Sequence, residues 1–248
     1  MQLKIMKYLI GIAILTICVN QAFAQEDANA ILAKMDKLMF SAKDRTGTIT
    51  ITLIEKDGSE KVREAEIFQK GADKKLYRYT KPESQAGIAT LSLPGGVMWM
   101  SMPAFANPKK ISLLSKSQAF TGTDFSYEDM NISSYSENYT PSIESVGKND
   151  YVLNLIPKDD KSKYSKVLLR VDKTIGYPIW MKYYNKQGRL FKEATYKYEK
   201  VGKYWNATEV EMKDLEKDHS TVINLSNIKY DQGLSDDIFD VENMKLKN

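Results

Sequence analysis

The sequence predicts a mainly β (α+β) fold, a large meandering antiparallel sheet that begins with one helix. Three features of the 248 residues carry this expectation. Between Asp27 and Lys43 the apolar residues Ile31, Met35, Leu38 and Met39 recur at the spacing of one helical face. From Thr46 the period becomes two: TGTITITL sets Ile49, Ile51 and Leu53 against Thr48, Thr50 and Thr52, as in a strand with one apolar face. Turn signals such as Lys56-Asp57-Gly58 then recur at short intervals, and short connections between strands imply antiparallel neighbours.

Strand-like segments follow near 62–70, 75–81, 87–93 and 96–102. A second series lies near 142–147, 151–157, 165–172, 178–185, 190–200, 205–214 and 221–230. Between the two series, Met102 to Ser134 has no sustained period and is too long for a hairpin turn, which marks it as a crossover or lid. Within it, FTGTDFSYEDM reads as a turn that opens a short helix. Asp124 or Ser126 supplies the cap, Ser126-Tyr127-Glu128-Asp129 has capping-box spacing, Gly122 gives backbone freedom, and Phe125 and Tyr127 pin the turn to the sheet. Ser235 to Asn243 reads as a short capped helix that ends the fold.

The first 24 residues place Lys4 and Lys7 before an apolar run from Tyr8 to Val19 and end on Ala22-Phe23-Ala24, the layout of a signal peptide cleaved after Ala24. The run is well short of the roughly 20 residues a membrane span needs. Ile17 stands before Cys18 where a lipid-attachment cysteine requires a small residue, so Cys18 is expected to be removed with the leader. The mature chain, 25–248, would then be one domain with no cysteine, held by its core in a periplasmic compartment. Removing the two lysines takes the formal charge from +4 to +2, with both signs interspersed, which excludes a nucleic-acid stripe.

Catalytic readings find little support. His219, the one histidine, lies in KDHST and reads as an exposed turn without the partners of a base. No zinc, phosphate-loop or dinucleotide pattern is present, so no metal or cofactor is expected. Asp124, Glu128 and Asp129 remain the candidates for carboxylate hydrolysis, against a structural reading that explains their spacing. Two strands stand out as apolar on both faces. VMWMSM alternates Met98, Met100 and Met102 with Val97 and Trp99, and PIWMKYY sets Ile179, Met181 and Tyr183 against Trp180 and Tyr184. Composition alone reads them as ordinary core, although methionine also suits a surface that accepts ligands of variable shape.

Pro82, Gly87, Trp99, Pro103 and then Gly122-Thr123-Asp124-Phe125-Ser126-Tyr127-Glu128-Asp129 resemble the outer-membrane lipoprotein-sorting protein family of the LolA/LolB-like superfamily. The order continues through Tyr164-Ser165-Lys166, Tyr177-Pro178, Lys182-Tyr183-Tyr184-Asn185 and Phe239. Thr121, Thr123 and Asn185 depart mildly from the pattern. The resemblance implies an incomplete antiparallel β-barrel, of about eleven strands here, wrapped over the N-terminal helix and short lid helices, with an apolar cavity for acyl chains. The candidates for its wall are Ile49, Ile51, Leu53, Leu91, Leu93, Met98, Trp99, Met100, Met102, Ile179 and Met181, with strand parity open; Gly122, Asp124, Phe125, Ser126, Tyr127 and Asp129 form the structural motif.

The function expected on this basis is that of a monomeric periplasmic carrier or chaperone, not an enzyme, that binds the acyl chains of lipoproteins or other lipids. It would move them between envelope membranes, with an envelope transporter or a membrane acceptor protein as partner. The alternative is an accessory protein that docks onto an envelope transporter with little or no cargo.

Overall fold

The computed structural model describes residues 27–112 and 118–244; the expected leader and Cys18 lie outside the described residues. Helix α1 (Ala28–Met39) starts at Asp27, whose side chain accepts from the Asn29 amide at 2.9 Å. It buries Leu32 and Met35 against the sheet. One antiparallel sheet of thirteen strands follows. Its first half holds β1 (Asp44–Ile54), β2 (Glu60–Lys70), β3 (Lys74–Lys81), β4 (Ala89–Leu93), β5 (Val97–Ser101) and β6 (Lys109–Lys110). After the crossover come β7 (Tyr139–Val146), β8 (Asp150–Pro157), β9 (Tyr164–Asp172), β10 (Pro178–Asn185), β11 (Leu190–Val201), β12 (Tyr204–Asp214) and β13 (His219–Tyr230).

The spatial order runs β6 through β1, then β13 through β7, so every hairpin neighbour in sequence is a neighbour in space. β1 and β13 join the halves, with Ile49 opposite Leu225 and Ile51 opposite Ile223. The sheet does not close: β6 and β7 are its two edges. The crossover holds two helical turns, α2 (Tyr127–Met130) and α3 (Tyr135–Asn138), the second of which lies beside α1 on the way to β7.

Each strand expected from the sequence is present, and the added one is the two-residue β6, too short to show a period. The C-terminal helix expected over 235–243 is instead two 3-10 turns, Asp236–Phe239 and Val241–Asn243, capped by Ser235 and Asp240. Helix α3 was not foreseen. Its N-terminus depends on a residue nearly a hundred positions away: the buried Asp36 carboxylate of α1 accepts from the Tyr135 and Ser136 amides at 2.9 and 2.8 Å and from the Ser134 and Ser136 hydroxyls.

Two apolar clusters divide the faces of the sheet. The larger fills the inner face under α1 and includes Ile49, Ile51, Leu53, Met98 and Met181. The smaller lies on the other face, where Phe239 and Met244 cover Leu76, Ala89 and Leu91. Asp44 turns the chain toward that second face, accepting from the Gln232, Gly233 and Leu234 amides at 2.7, 2.8 and 3.0 Å.

Candidate functional site

The last turn of α1 does not seat fully on the sheet. Leu38, Met39 and Phe40 stand over a cavity of about 200 Å³ whose floor is Ile49, Ile67, Val210, Ile223 and Leu225, from β1, β2, β12 and β13. Phe125 and Met130 of the crossover close one side, and Tyr77, Tyr177, Tyr198, Tyr204 and Tyr230 ring it. Arg45, Asp44 and Gln69 supply charge and polarity at the same wall. This combination, an apolar enclosure with a few polar groups, is the usual make-up of a small-molecule site. At the helix end the Tyr177 hydroxyl donates to the Leu38 carbonyl at 2.9 Å. Gly176, at φ 74°, lies so close beneath Leu38 that a Cβ there would come within 2.5 Å of the leucine Cδ1.

The crossover forms a strap across the inner face. Thr121 is held by Arg63 of β2, which donates to its carbonyl, and by the hydroxyl of Tyr79 of β3. Phe120 packs edge-on against Tyr77 and Tyr127. On the far side, Asp124 is 4 % exposed and accepts from Thr221 Oγ1 at 2.7 Å while its Oδ2 lies 2.6 Å from His219 Nδ1. Lys192 of β11 donates to the Asp124 carbonyl. Ser126 and Asp129 make the expected capping box, and Tyr164 donates to Asp129 Oδ1 at 2.6 Å. Burial pushes the Glu128 carboxyl above its ordinary range, and Ser162 Oγ donates to it. Burial also lowers the Lys163 ammonium to about 8.

Of the two caps offered by the sequence, Ser126 fills the place, and Asp124 instead binds the strap to β13. One expectation is corrected here: His219 is not an exposed turn residue. It pairs with Asp124, and its Nε2 faces Glu55 Oε2 at 3.7 Å. An Asp–His pair is two-thirds of a nucleophilic triad, but Thr221 donates to Asp124 rather than to the imidazole, and no hydroxyl among the described residues is hydrogen-bonded to His219. Among the described residues no group of three or more His, Cys, Asp and Glu is arranged to hold a metal.

The same architecture is known from solved structures. An outer membrane lipoprotein-sorting protein domain assigned in Vibrio parahaemolyticus matches with a TM-score of 0.79 and 26% identity, covering 88% of this chain and 97% of that one. A LolA superfamily protein from Nitrosomonas europaea matches at 0.73 and 27%, over 87% and 98%. A family model described as an uncharacterized protein matches residues 71–246. The chain belongs to this family, within the LolA-like superfamily. A DUF1329 family protein from Desulfovibrio piger, at 24% identity and a TM-score of 0.81 over 88% and 98% of the chains, shares the fold. A comparison with curated proteins finds no match.

Within this LolA-like sheet, the residues singled out from the sequence separate into four groups. Ile49 borders the cavity, while Ile51, Leu53, Met98, Met100 and Met181 belong to the packed inner core beside it. Met181 is fully enclosed, with its sulfur accepting from the Tyr196 and Tyr183 hydroxyls at 3.2 and 3.4 Å. Leu91, Leu93 and Trp99 are on the opposite face, beneath the C-terminal segment. Their place as cavity wall is therefore corrected, since strand parity sends Trp99 outward when Met98 and Met100 point in. Met102 and Ile179 border neither the cavity nor the two clusters.

Sequence reasoning missed the tyrosine ring. A signal was present in KEATYKYEK, where Tyr196 and Tyr198 repeat at period two between charges and stack at 6.3 Å. Among the described residues no helix is long and apolar enough to cross a membrane.

Proposed function

We propose that the protein is a periplasmic carrier that shelters an acyl chain of a lipoprotein or another lipid in the cavity beneath α1 and hands it between envelope membranes. The observation that carries this reading is the unfilled apolar space between the helix end and the centre of the sheet, in a fold shared with lipoprotein-sorting domains. Transfer needs no covalent step. Each methylene moved out of water contributes about 0.8 kcal/mol, so a chain is held until a more apolar acceptor is offered.

The cavity is smaller than the roughly 300–1,000 Å³ typical of ligand sites. Its roof is α1, fixed at its middle by Leu32, Met35 and the Asp36–α3 contact and tethered at its end by one hydroxyl. Cargo longer than the resting space is accommodated by lifting that end. Native mass spectrometry of protein purified from its own envelope tests the reading: a bound lipid supports it. Protein free of lipid that also fails to bind fluorescent fatty acids defeats it.

A further inference from the structure

Arg45 is out of keeping with the wall it belongs to. It lies on β1 at the tyrosine-lined side of the cavity, opposite Tyr230 of β13. Its sequence neighbour Asp44, also in the cavity wall, forms no ion pair with it and directs both carboxylate oxygens to the amides of 232–234. Its Nε donates to the neutral Gln69 carbonyl oxygen at 2.9 Å, and Gln69 is itself held by its Nε2 on the Gly71 carbonyl at 2.8 Å. Among the described residues no carboxylate forms an ion pair with Arg45.

The charge is felt by its neighbours. It opposes the burial that raises the hydroxyls of Tyr77, Tyr177 and Tyr230, all three of which line the cavity. A second cation lies close by: Lys75 Nζ sits 5.6 Å from the ring of Phe40, which roofs the same cavity, and donates to the Ile132 carbonyl. Burial first, then repulsion by Arg45, lowers Lys75 to about 7. A guanidinium at the wall of an apolar enclosure, ion-paired with no carboxylate among the described residues, is a place where an anionic group gains a partner.

We infer that the cavity selects single-chain amphiphiles with an anionic head group, and that Arg45 is the residue that reads the charge. This rests on the carrier reading and narrows it. The chain occupies the space between Ile49, Val210 and Leu225, while the head group meets the guanidinium at the rim. A carboxylate and a phosphate both fit the planar fork in bidentate fashion, whereas a neutral glycerol head gains none of that pairing.

The test compares chain-matched probes below their micelle concentrations: palmitate, palmitoyl lysophosphatidate and monopalmitoylglycerol, with the wild type and with Arg45→Gln and Arg45→Lys. The wild type is expected to bind at least one anionic probe about 10- to 100-fold more tightly than the neutral one, the span expected for hydrogen bonds to a charged group. Whichever anion binds more tightly identifies the head group. Arg45→Gln should erase the preference while keeping the neutral probe's affinity, and Arg45→Lys should keep part of it. Equal binding of all three probes by the wild type, or a preference that survives Arg45→Gln, overturns the inference and leaves the carrier reading standing. If no probe binds the wild type, the carrier reading falls and takes the inference with it. The wild-type comparison needs no variant, so a misfolded Arg45→Gln does not remove the test.

Discussion

The strap and the cavity lie side by side on the same face of the sheet and are built on opposite terms. In the strap nearly every polar group has a designated partner on a different strand: Arg63 and Tyr79 on one side, Thr221, His219, Lys192 and Tyr164 on the other. In the cavity most of the enclosing groups are rings and aliphatic side chains, with Arg45, Asp44 and Gln69 at one wall, and the hydrogen bond at the roof is the one from the Tyr177 hydroxyl to the Leu38 carbonyl. Buried polar networks lose heavily when one member is removed, because the partners stay buried and unpaired. Apolar walls around empty space have less to lose. On these terms the strap is expected to be the rigid region and the cavity the one that can change shape.

Removing a strap carboxylate should break this contrast most severely. Asp124→Ala leaves His219 and Thr221 facing a void and is expected to cost about 3–5 kcal/mol in urea or thermal unfolding. A loss within 1 kcal/mol would show that the strap is not the rigid region.

The pH dependence of stability sharpens the same comparison at the border between strap and roof. Lys75 titrates near 7 when folded and near its ordinary 10.5 when unfolded, so between these values the unfolded chain holds more protons. Stability should therefore rise with pH above about 7, with a slope approaching about 1.4 kcal/mol per pH unit from this residue. Lys163, near 8, adds in the same direction. Above about 10 the trend reverses, because burial holds the Tyr135, Tyr164 and Tyr183 hydroxyls neutral in the fold while they ionise in the unfolded chain. Lys75→Met should flatten the rise between pH 7 and 10; an unchanged slope in that variant would assign the rise elsewhere.

Smaller effects follow. Ser126→Ala removes one half of the capping box and should cost about 1 kcal/mol. Leu225→Glu, half-buried at the cavity floor, puts a carboxylate where the acyl chain is proposed to lie; it should cost less than Asp124→Ala because the site is only half-buried, and reduce acyl-probe binding by about tenfold or more. If Leu225→Glu unfolds the protein as badly as Asp124→Ala does, the two regions are not different in kind.

The sheet was legible because alternation and turn chemistry act locally: Ile49, Ile51 and Leu53 point inward for the same reason they alternate in the sequence. The capping box was legible for the same reason, since Ser126 and Asp129 are three residues apart. What could not be read depended on partners far along the chain. Trp99 and Leu91 are as apolar as Met98, and only the arrival of Phe239 and Met244 on the outer face explains them. His219 reads as a turn residue until Asp124, remote in sequence, is laid against it. The helical turn at Tyr135 has a local cap in Ser134, and its remaining free amides find the distant Asp36 carboxylate.

The pairing of β1 with β13 has a consequence for the order in which this molecule comes into being. All other ladders are hairpins between consecutive strands and can form as soon as both strands have emerged. The β1–β13 ladder pairs the first strand with the last, so the middle of the finished sheet needs both ends of the strand series at once. Before it forms, the hairpin ladders can build two half-sheets with unpaired edges at β1 and β12. Contacts between such distant segments are the slow ones to form, so closure of the sheet is expected to come after its halves.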